Sequence, residues 1–236
     1  MGACDVVLAQ STNFGHGLGF AAHVRLAARY EYSYIESAAV QIGDDILEVS
    51  AYGHYMLNGV HGADLPYLMG DMYSVHRTVN PKNTKDISFD ITLDGRQAVS
   101  VRAFKDLVSV RFHTVAEESF GDVVGIMGDF QQGRHLARDG KTLMNEDNDA
   151  FGQEWQVRPG QDPELFMAKS PIQYPASKCV IPSHVMDERR HLGESISVED
   201  ATAACEKNFF TKGAIEACIY DVIATGDLEA ANAGAF

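Results

Sequence analysis

Residues 125–130 of this chain read GIMGDF, and residues 151–157 read FGQEWQV. Gly125 and Gly128 follow an apolar run, and glycine permits backbone angles and close backbone approaches that a Cβ would prevent. We therefore expect the two glycines to bracket the end of a core strand. Trp155, the single tryptophan of the chain, is expected to anchor the second stretch in the core.

The loop between the two stretches is rich in oxygen-bearing side chains, which are Asp129, Gln131, Asp139, Asn145, Asp147 and Asp149. Such a loop suits a hard cation such as calcium, which takes ~6–8 oxygen ligands. The same composition is typical of a polar surface loop built from Asx-type turns. The spacing does not match the EF-hand pattern, so both interpretations stay open at this point.

Upstream of these stretches, apolar residues recur with a period of two, which is typical of half-buried strands. Ile87, Phe89 and Ile91 alternate with polar residues, and Asp94-Gly95 supplies the turn chemistry of a tight hairpin. We expect further strands at residues 5–10, 21–28, 35–42, 46–51, 54–57, 98–104 and 108–112. Many short strands with Gly/Asp turns predict an antiparallel sandwich or barrel.

The last third of the chain changes character. Five prolines between positions 159 and 182 predict irregular chain that wraps the strands. After Gly193 the apolar period becomes helical, with Ser197 as a helix start. We expect two helices at about 198–208 and 214–224, which would face each other if Cys205 bonded Cys218.

Composition narrows the function classes. The chain has 236 residues and a net charge of −14, which argues against nucleic acid or an anionic membrane surface as a partner. The charge fits either a solvated surface or attraction of divalent cations. No stretch approaches the ~20 apolar residues of a spanning helix, and the first residues lack a signal-peptide pattern. Since a strand pattern begins almost at once, we expect the natural N-terminus to be missing.

The two opening stretches resemble the C-terminal part of a von Willebrand factor type D module, which has GLCGNFNG, an acidic loop and then FGNSWxV. Residues 2–8, GACDVVL, are similar to the module's G-x-C-x-Y-x-L. Residues 136–140, LARDG, resemble the loop of cysteine-poor copies in diatom-like algal extracellular proteins, and residues 219–227 resemble the short cysteine-bearing tail that follows the module there. The resemblance implies a mainly β, antiparallel β-sandwich over residues 1–182 without the module's opening segment. A linker at 183–195 and a small helical tail at 196–236 would follow.

The resemblance also implies how the four cysteines pair. The family bridge from the G-x-C segment would join Cys4 to Cys179, and Cys205 with Cys218 would form a local bridge. Met127 stands where the family has a cysteine of another core bridge, so that bridge would be lost. The open alternative is four free thiols in a reducing compartment.

The family loop commonly binds calcium, so the resemblance marks Asp129, Gln131 and Asp139 as candidate ligands. Asp129 matches the first ligand position, while Gln131, at the second, is neutral. The family's acidic pair would fall at residues 134–136, which are Arg, His and Leu here. The metal site therefore looks degenerate, and calcium is the one cofactor that the sequence raises.

The function that the resemblance implies is structural. We expect a secreted or cell-surface module of adhesion or matrix assembly that contacts other extracellular proteins or glycans, without nucleic-acid binding or membrane insertion. We expect no enzyme and no catalytic residue, because no H-E-x-x-H or G-x-S-x-G pattern occurs. Two alternatives remain, which are a calcium-dependent binding module and a hydrolase with converging His and Asp residues.

Overall fold

The computed structural model describes residues 4–29, 32–93, 95–113, 120, 122–129, 132–144, 147–168 and 196–233. It confirms the mainly β prediction, with two antiparallel sheets in an open sandwich and small helices at the C-terminal end. Sheet 1 has its strands in chain order, which are β1 (Cys4–Ser11), β2 (Phe20–Arg29), β3 (Tyr32–Ile42), β4 (Asp45–Ser50), β5 (Tyr55–Leu57) and β6 (Val60–His61). The short helix α1 (Phe14–Gly17) connects β1 and β2.

Sheet 2 is formed by the next part of the chain. Its strands are β7 (Tyr67–Met69), β8 (Tyr73–Asn80), β9 (Asn83–Leu93), β10 (Arg96–Phe104) and β11 (Leu107–Phe112), in the spatial order β11-β10-β9-β8-β7. The predicted strands are present, but β6, β7 and β8 were not expected. β8 lacks a clear alternation because Arg77 and its neighbours are exposed on a half-buried strand.

The core lies between the sheets, where the inward rows of both meet. Val40 and Leu47 of sheet 1 and Phe89 and Val101 of sheet 2 are fully buried in one cluster. At one end the core becomes aromatic, with Phe14, Phe20, Tyr73, Phe112 and Phe120 in mutual ring contact. Four of these rings come from the two sheets and the α1 turn, and Phe120 follows β11 in the chain, so together they close the sandwich at that end.

The GIMGDF segment does not end a core strand, so that expectation is wrong. It lies along the free edge of β1, where Gln10 pairs with Val124 in a single bridge and Ile126 N–H donates to Val7 O at 3.0 Å. Gly125 has a φ of +145°, and a Cβ there would stand 2.5 Å from Leu8 O. The glycine is therefore required by a close approach between two backbones, as expected, but at a sheet edge.

Trp155 is fully buried, as predicted, and its Nε1 donates to Leu136 O at 3.0 Å. It follows the helix α2 (Asn148–Glu154), which the sequence reasoning missed and which Asp147 caps at its N-terminus. The backbone of Trp155 also accepts a hydrogen bond from Val7 N–H at 2.8 Å. The GIMGDF and FGQEWQV stretches therefore both cover the free edge of β1.

The tail contains α3 (Val198–Cys205), α4 (Lys212–Thr225) and a 3₁₀ helix (Leu228–Asn232). Ser197 caps α3 by accepting from Asp200 N–H, as its position predicted. Apolar residues of the three helices form a separate small cluster around the Cys205–Cys218 disulfide. The predicted domain boundaries stay a prediction, and the expected linker, 183–195, lies outside the described residues.

Candidate binding groove on the second sheet

Asp129, the first predicted calcium ligand, is buried and already paired with a cation of the chain. Its Oδ2 accepts a hydrogen bond from Arg134 Nη2 at 2.7 Å. Its Oδ1 accepts one from the backbone N–H of Gln132 at 3.1 Å. A calcium ion at Asp129 would therefore have to share this carboxylate with a guanidinium or displace it.

Asp139, another predicted ligand, closes its own turn. Its Oδ1 accepts from the N–H groups of Lys141 and Thr142, each at 2.8 Å, and its Oδ2 accepts from the Thr142 hydroxyl at 2.6 Å. The Thr142 hydroxyl first, and then these N–H groups, lower the pKa of Asp139 to about 2. This arrangement is the Asx-type turn that the composition of the loop left open.

Gln131 lies outside the described residues. At the positions of the family's acidic pair, Arg134 binds Asp129, His135 stacks on a phenyl ring of α2, and Leu136 is buried. Among the described residues, no three His, Cys, Asp or Glu side chains come together in a group that could hold a metal. Calcium binding stays a prediction.

The described residues test one of the two predicted disulfides. Cys205 and Cys218 are bonded to each other and join α3 to α4, which confirms the local bridge. Cys4 is also disulfide-bonded, so free thiols are wrong for these three residues. Its predicted partner, Cys179, lies outside the described residues, and the Cys4–Cys179 pairing stays a prediction.

A polar groove on sheet 2 is a feature that the sequence did not indicate. It is an open groove of about 670 Å³ on the outer face of β8 to β11. Strand register places Thr78, Ser88 and Arg102 in one row across this face, and Asp90, Ser100 and Arg111 in the next. Side chains two positions apart on a strand share a face, so the outward-facing side chains of β8 to β11 form the floor of the groove.

One end of the groove is fixed by a buried ion pair. Arg102 donates from Nε and Nη2 to the two oxygens of Asp86, at 2.7 and 2.9 Å, and from Nη1 to Asn232 O at 2.7 Å. The Arg102 hydrogen bonds, with a further one from Asn80, hold the pKa of Asp86 below its usual value. The guanidinium thus connects the groove floor to the end of the tail.

The centre of the groove holds a Ser–His–Asp contact. Ser100 Oγ donates to Asp90 Oδ1 at 2.6 Å and lies 2.8 Å from His113 Nε2. Burial, followed by the neighbouring charge of Arg111, lowers the pKa of His113 below its usual value, which favours the neutral ring. Because the serine proton is directed to Asp90, His113 Nε2 donates to Ser100 rather than removing its proton.

Several polar groups of the groove remain open to a ligand. Within the described part of the chain, the hydroxyls of Thr78 and Ser88 make no side-chain hydrogen bond, and Asp90 Oδ2 accepts none. The groove can therefore both donate and accept hydrogen bonds, with little net charge.

Comparison of the chain with models of protein families finds no match, and comparison with curated proteins finds none either. Among the helices that the structure describes, none is long and apolar enough to cross a membrane. The site must therefore be interpreted from its own chemistry.

Proposed function

We propose that this chain is a non-catalytic extracellular module of adhesion or matrix assembly that contacts glycans, or glycan-bearing proteins, through the groove of sheet 2. The groove itself carries the proposal. It is open and concave, and it combines unused hydroxyls with a half-used carboxylate on one rigid sheet.

This chemistry suits a polyhydroxylated ligand. Each sugar hydroxyl donates one hydrogen bond and accepts others, so it needs acceptors and donors close together. Asp90 Oδ2 offers an acceptor, and the hydroxyl of Ser88, two positions away on β9, offers both a donor and an acceptor. The described lining contains no Phe, Tyr or Trp ring, so we expect hydrogen bonds to dominate and affinity to be weak, on the order of 1 mM.

The extracellular setting is proposed from the type D resemblance and the disulfides. A disulfide such as Cys205–Cys218 forms and persists in oxidising compartments. The close packing of Gly125 against β1 and the burial of Trp155 support a role for the type D-like motif in the fold rather than in catalysis. We propose a secreted or cell-surface location on these grounds.

The hydrolase alternative has one favouring observation, the contact among Asp90, Ser100 and His113. A serine nucleophile needs a base that accepts its proton, normally a histidine held by a carboxylate. Here the serine lies between the other two, and Ser100 is only 1% exposed. These facts support a structural role for the contact, and we propose no catalytic residue.

The calcium-dependent alternative is tested by calorimetry on the metal-free protein with added calcium. We expect no heat of binding and no change in Tm, because Asp129 is paired with Arg134 and Asp139 closes its turn. A saturable heat that Asp129→Asn abolishes would establish the alternative.

The groove is tested by filling it. Ser88→Tyr places a large side chain at its centre without removing a hydrogen bond of the described structure. On a printed panel of neutral and sulfated oligosaccharides, we expect the native chain to be retained by neutral members and Ser88→Tyr to lose at least tenfold in binding.

Thr84→Tyr is the matched control, since position 84 is exposed on the same strand but lies outside the groove lining. It should bind like the native chain. Binding by none of the proteins, or equal binding by all three, would contradict the proposed function.

A further inference from the structure

The outer face of sheet 1 is covered by a segment without helix or strand, residues 158–168, which we name the strap. Leu165 of the strap is 1% exposed and packs on Ala21 and Ala39 of the sheet. The small alanines leave room for it between β2 and β3. The predicted irregular wrap is thus confirmed for the described part of the proline-rich stretch.

Charged side chains of sheet 1 hold the end of the strap by its backbone. Glu48 Oε2 accepts from the N–H groups of Met167 and Ala168, at 2.8 and 3.1 Å. Arg25 Nη1 donates to Ala168 O at 3.1 Å, and its guanidinium lies 4.2 Å from the ring centre of Phe166. Glu48 is only 3% exposed, so the strap supplies the donors that this buried carboxylate requires.

The start of the strap is held by a second charged group. Asp162 Oδ1 accepts from Arg138 Nη1 at 2.5 Å, and its Oδ2 accepts from Arg158 N–H at 2.7 Å. Arg138 also lies 5.0 Å from the ring centre of Trp155. The environment of the single tryptophan is therefore coupled to the position of the strap.

His23 lies beneath this cover. It points outward from β2, opposite Val7 of β1 and Ala39 of β3, and is 1% exposed. Within the described part of the chain, neither of its ring nitrogens has a hydrogen-bond partner. Burying a polar ring without partners is unfavourable, so this position is not explained by stability alone.

The charges around His23 leave no free counter-ion for a protonated ring. Asp5 on β1 is bound to Arg25 of the same strand as His23, and Asp162 of the strap is bound to Arg138. Glu48 lies farther along the same row of the sheet, beyond Ala39, and accepts from the strap backbone. The described acids on every neighbouring element are thus already engaged, and Arg138 repels a second positive charge.

We propose that the strap is an acid-opened cover of sheet 1, with His23 as the group whose protonation releases it. A neutral imidazole fits beneath the closed strap. An imidazolium has to reach water, and lifting residues 158–168 provides that access and exposes the alanine-rich face beneath.

The direction of the pH effect follows from the burial of the ring. Burial lowers the pKa of His23 from 6.5 to about 4, with Asp162 and Asp5 opposing this and Arg138 adding to it. The opened form therefore binds more protons than the closed form between these two values, so closure is favoured at neutral pH and lost as the pH falls. From pH 7.5 to 5 the ratio of opened to closed strap should rise about 30-fold.

The test is hydrogen exchange of the strap amides in the native chain, corrected for the intrinsic pH dependence of exchange. Met167 and Ala168 report opening, and the amides of β9 and β10 report global unfolding in the same sample. We expect the 30-fold rise only in the strap, with a parallel change in Trp155 fluorescence. His23→Leu should reduce the rise to less than twofold.

His54→Leu is the control, because His54 is an exposed histidine of the same sheet region. It should behave like the native chain. Equal pH dependence in His23→Leu and the native chain would overturn the proposal, as would opening of β9 and β10 together with the strap. If His23→Leu does not fold, an NMR titration of the native ring decides, and a His23 pKa near 6.5 would overturn the proposal.

Discussion

The two sheets carry the same arginine–aspartate arrangement on their outer faces but hold different segments with it. On sheet 1, Arg25 binds both oxygens of Asp5 and donates its third nitrogen to a strap carbonyl. On sheet 2, Arg102 binds both oxygens of Asp86 and donates its third nitrogen to a tail carbonyl. On both sheets, the guanidinium of an arginine on a strand holds a segment that lies outside the sheet.

The faces nevertheless differ in what the held segment covers. The strap brings Leu165 and Asp162 onto sheet 1, so apolar burial and a second ion pair seal that face around His23. The tail keeps its apolar residues in its own cluster, and its described residues contact sheet 2 through carbonyls and surface charges. Each of these arginine–aspartate pairs, Arg25 with Asp5 and Arg102 with Asp86, is named a clamp here. A clamp alone does not close a face, and sheet 2 therefore keeps an open groove.

The largest expected effect comes from removing the acid of either clamp. Asp5→Ala and Asp86→Ala each leave a mostly buried guanidinium without its carboxylate, and we expect each to lower the free energy of unfolding by about 3 kcal/mol. Urea unfolding followed by circular dichroism measures this. Asp64→Ala, at an exposed position, should change it by less than about 0.5 kcal/mol.

The same two variants sharpen the comparison between the faces. Asp5→Ala should increase exchange of the strap amides, whereas Asp86→Ala should increase exchange in the tail and leave the strap unchanged. If either variant loosens both segments equally, the two clamps do not act separately.

The smallest expected effect lies at the surface contact of the tail. Lys105 binds Asp227 at 2.6 Å and also contacts Glu229, and these two partners, Asp227 first, raise the pKa of Lys105. Since both acids are well exposed, Lys105→Ala should change stability by less than about 1 kcal/mol. Hydrogen exchange in residues 228–232 should rise modestly, and 0.5 M salt should abolish the difference between variant and native chain.

Local patterns predicted the elements that depend on local chemistry. The alternation around Phe89 located β9, and the Ser197 cap located the start of α3. The pattern failed where tertiary contacts decide the structure. β8 is half exposed and interrupted by Arg77, and residues 124–127 contact the edge of β1 by a single bridge and backbone hydrogen bonds instead of forming a strand.

The candidate sites lay beyond sequence reasoning for a related reason. The groove exists because register sets Asp90 opposite Ser100, and His113 then reaches the same serine. The burial of His23 depends on an irregular strap more than a hundred positions away. No hydrophobic periodicity in the sequence indicates that contact. The oxygen-rich loop was visible in sequence, but its aspartates close turns and pair with Arg134.

We propose sheet 2 as the binding face of the molecule and sheet 1 as the closed face. This proposal is tested most directly at pH 7.5 by hydrogen exchange with and without the neutral oligosaccharide that the native chain retains best. We expect added protection in β9 and β10 around Ser88 and Ser100, and none in the strap or in β2 and β3. Protection of the strap or of sheet 1, with sheet 2 unchanged, would contradict it.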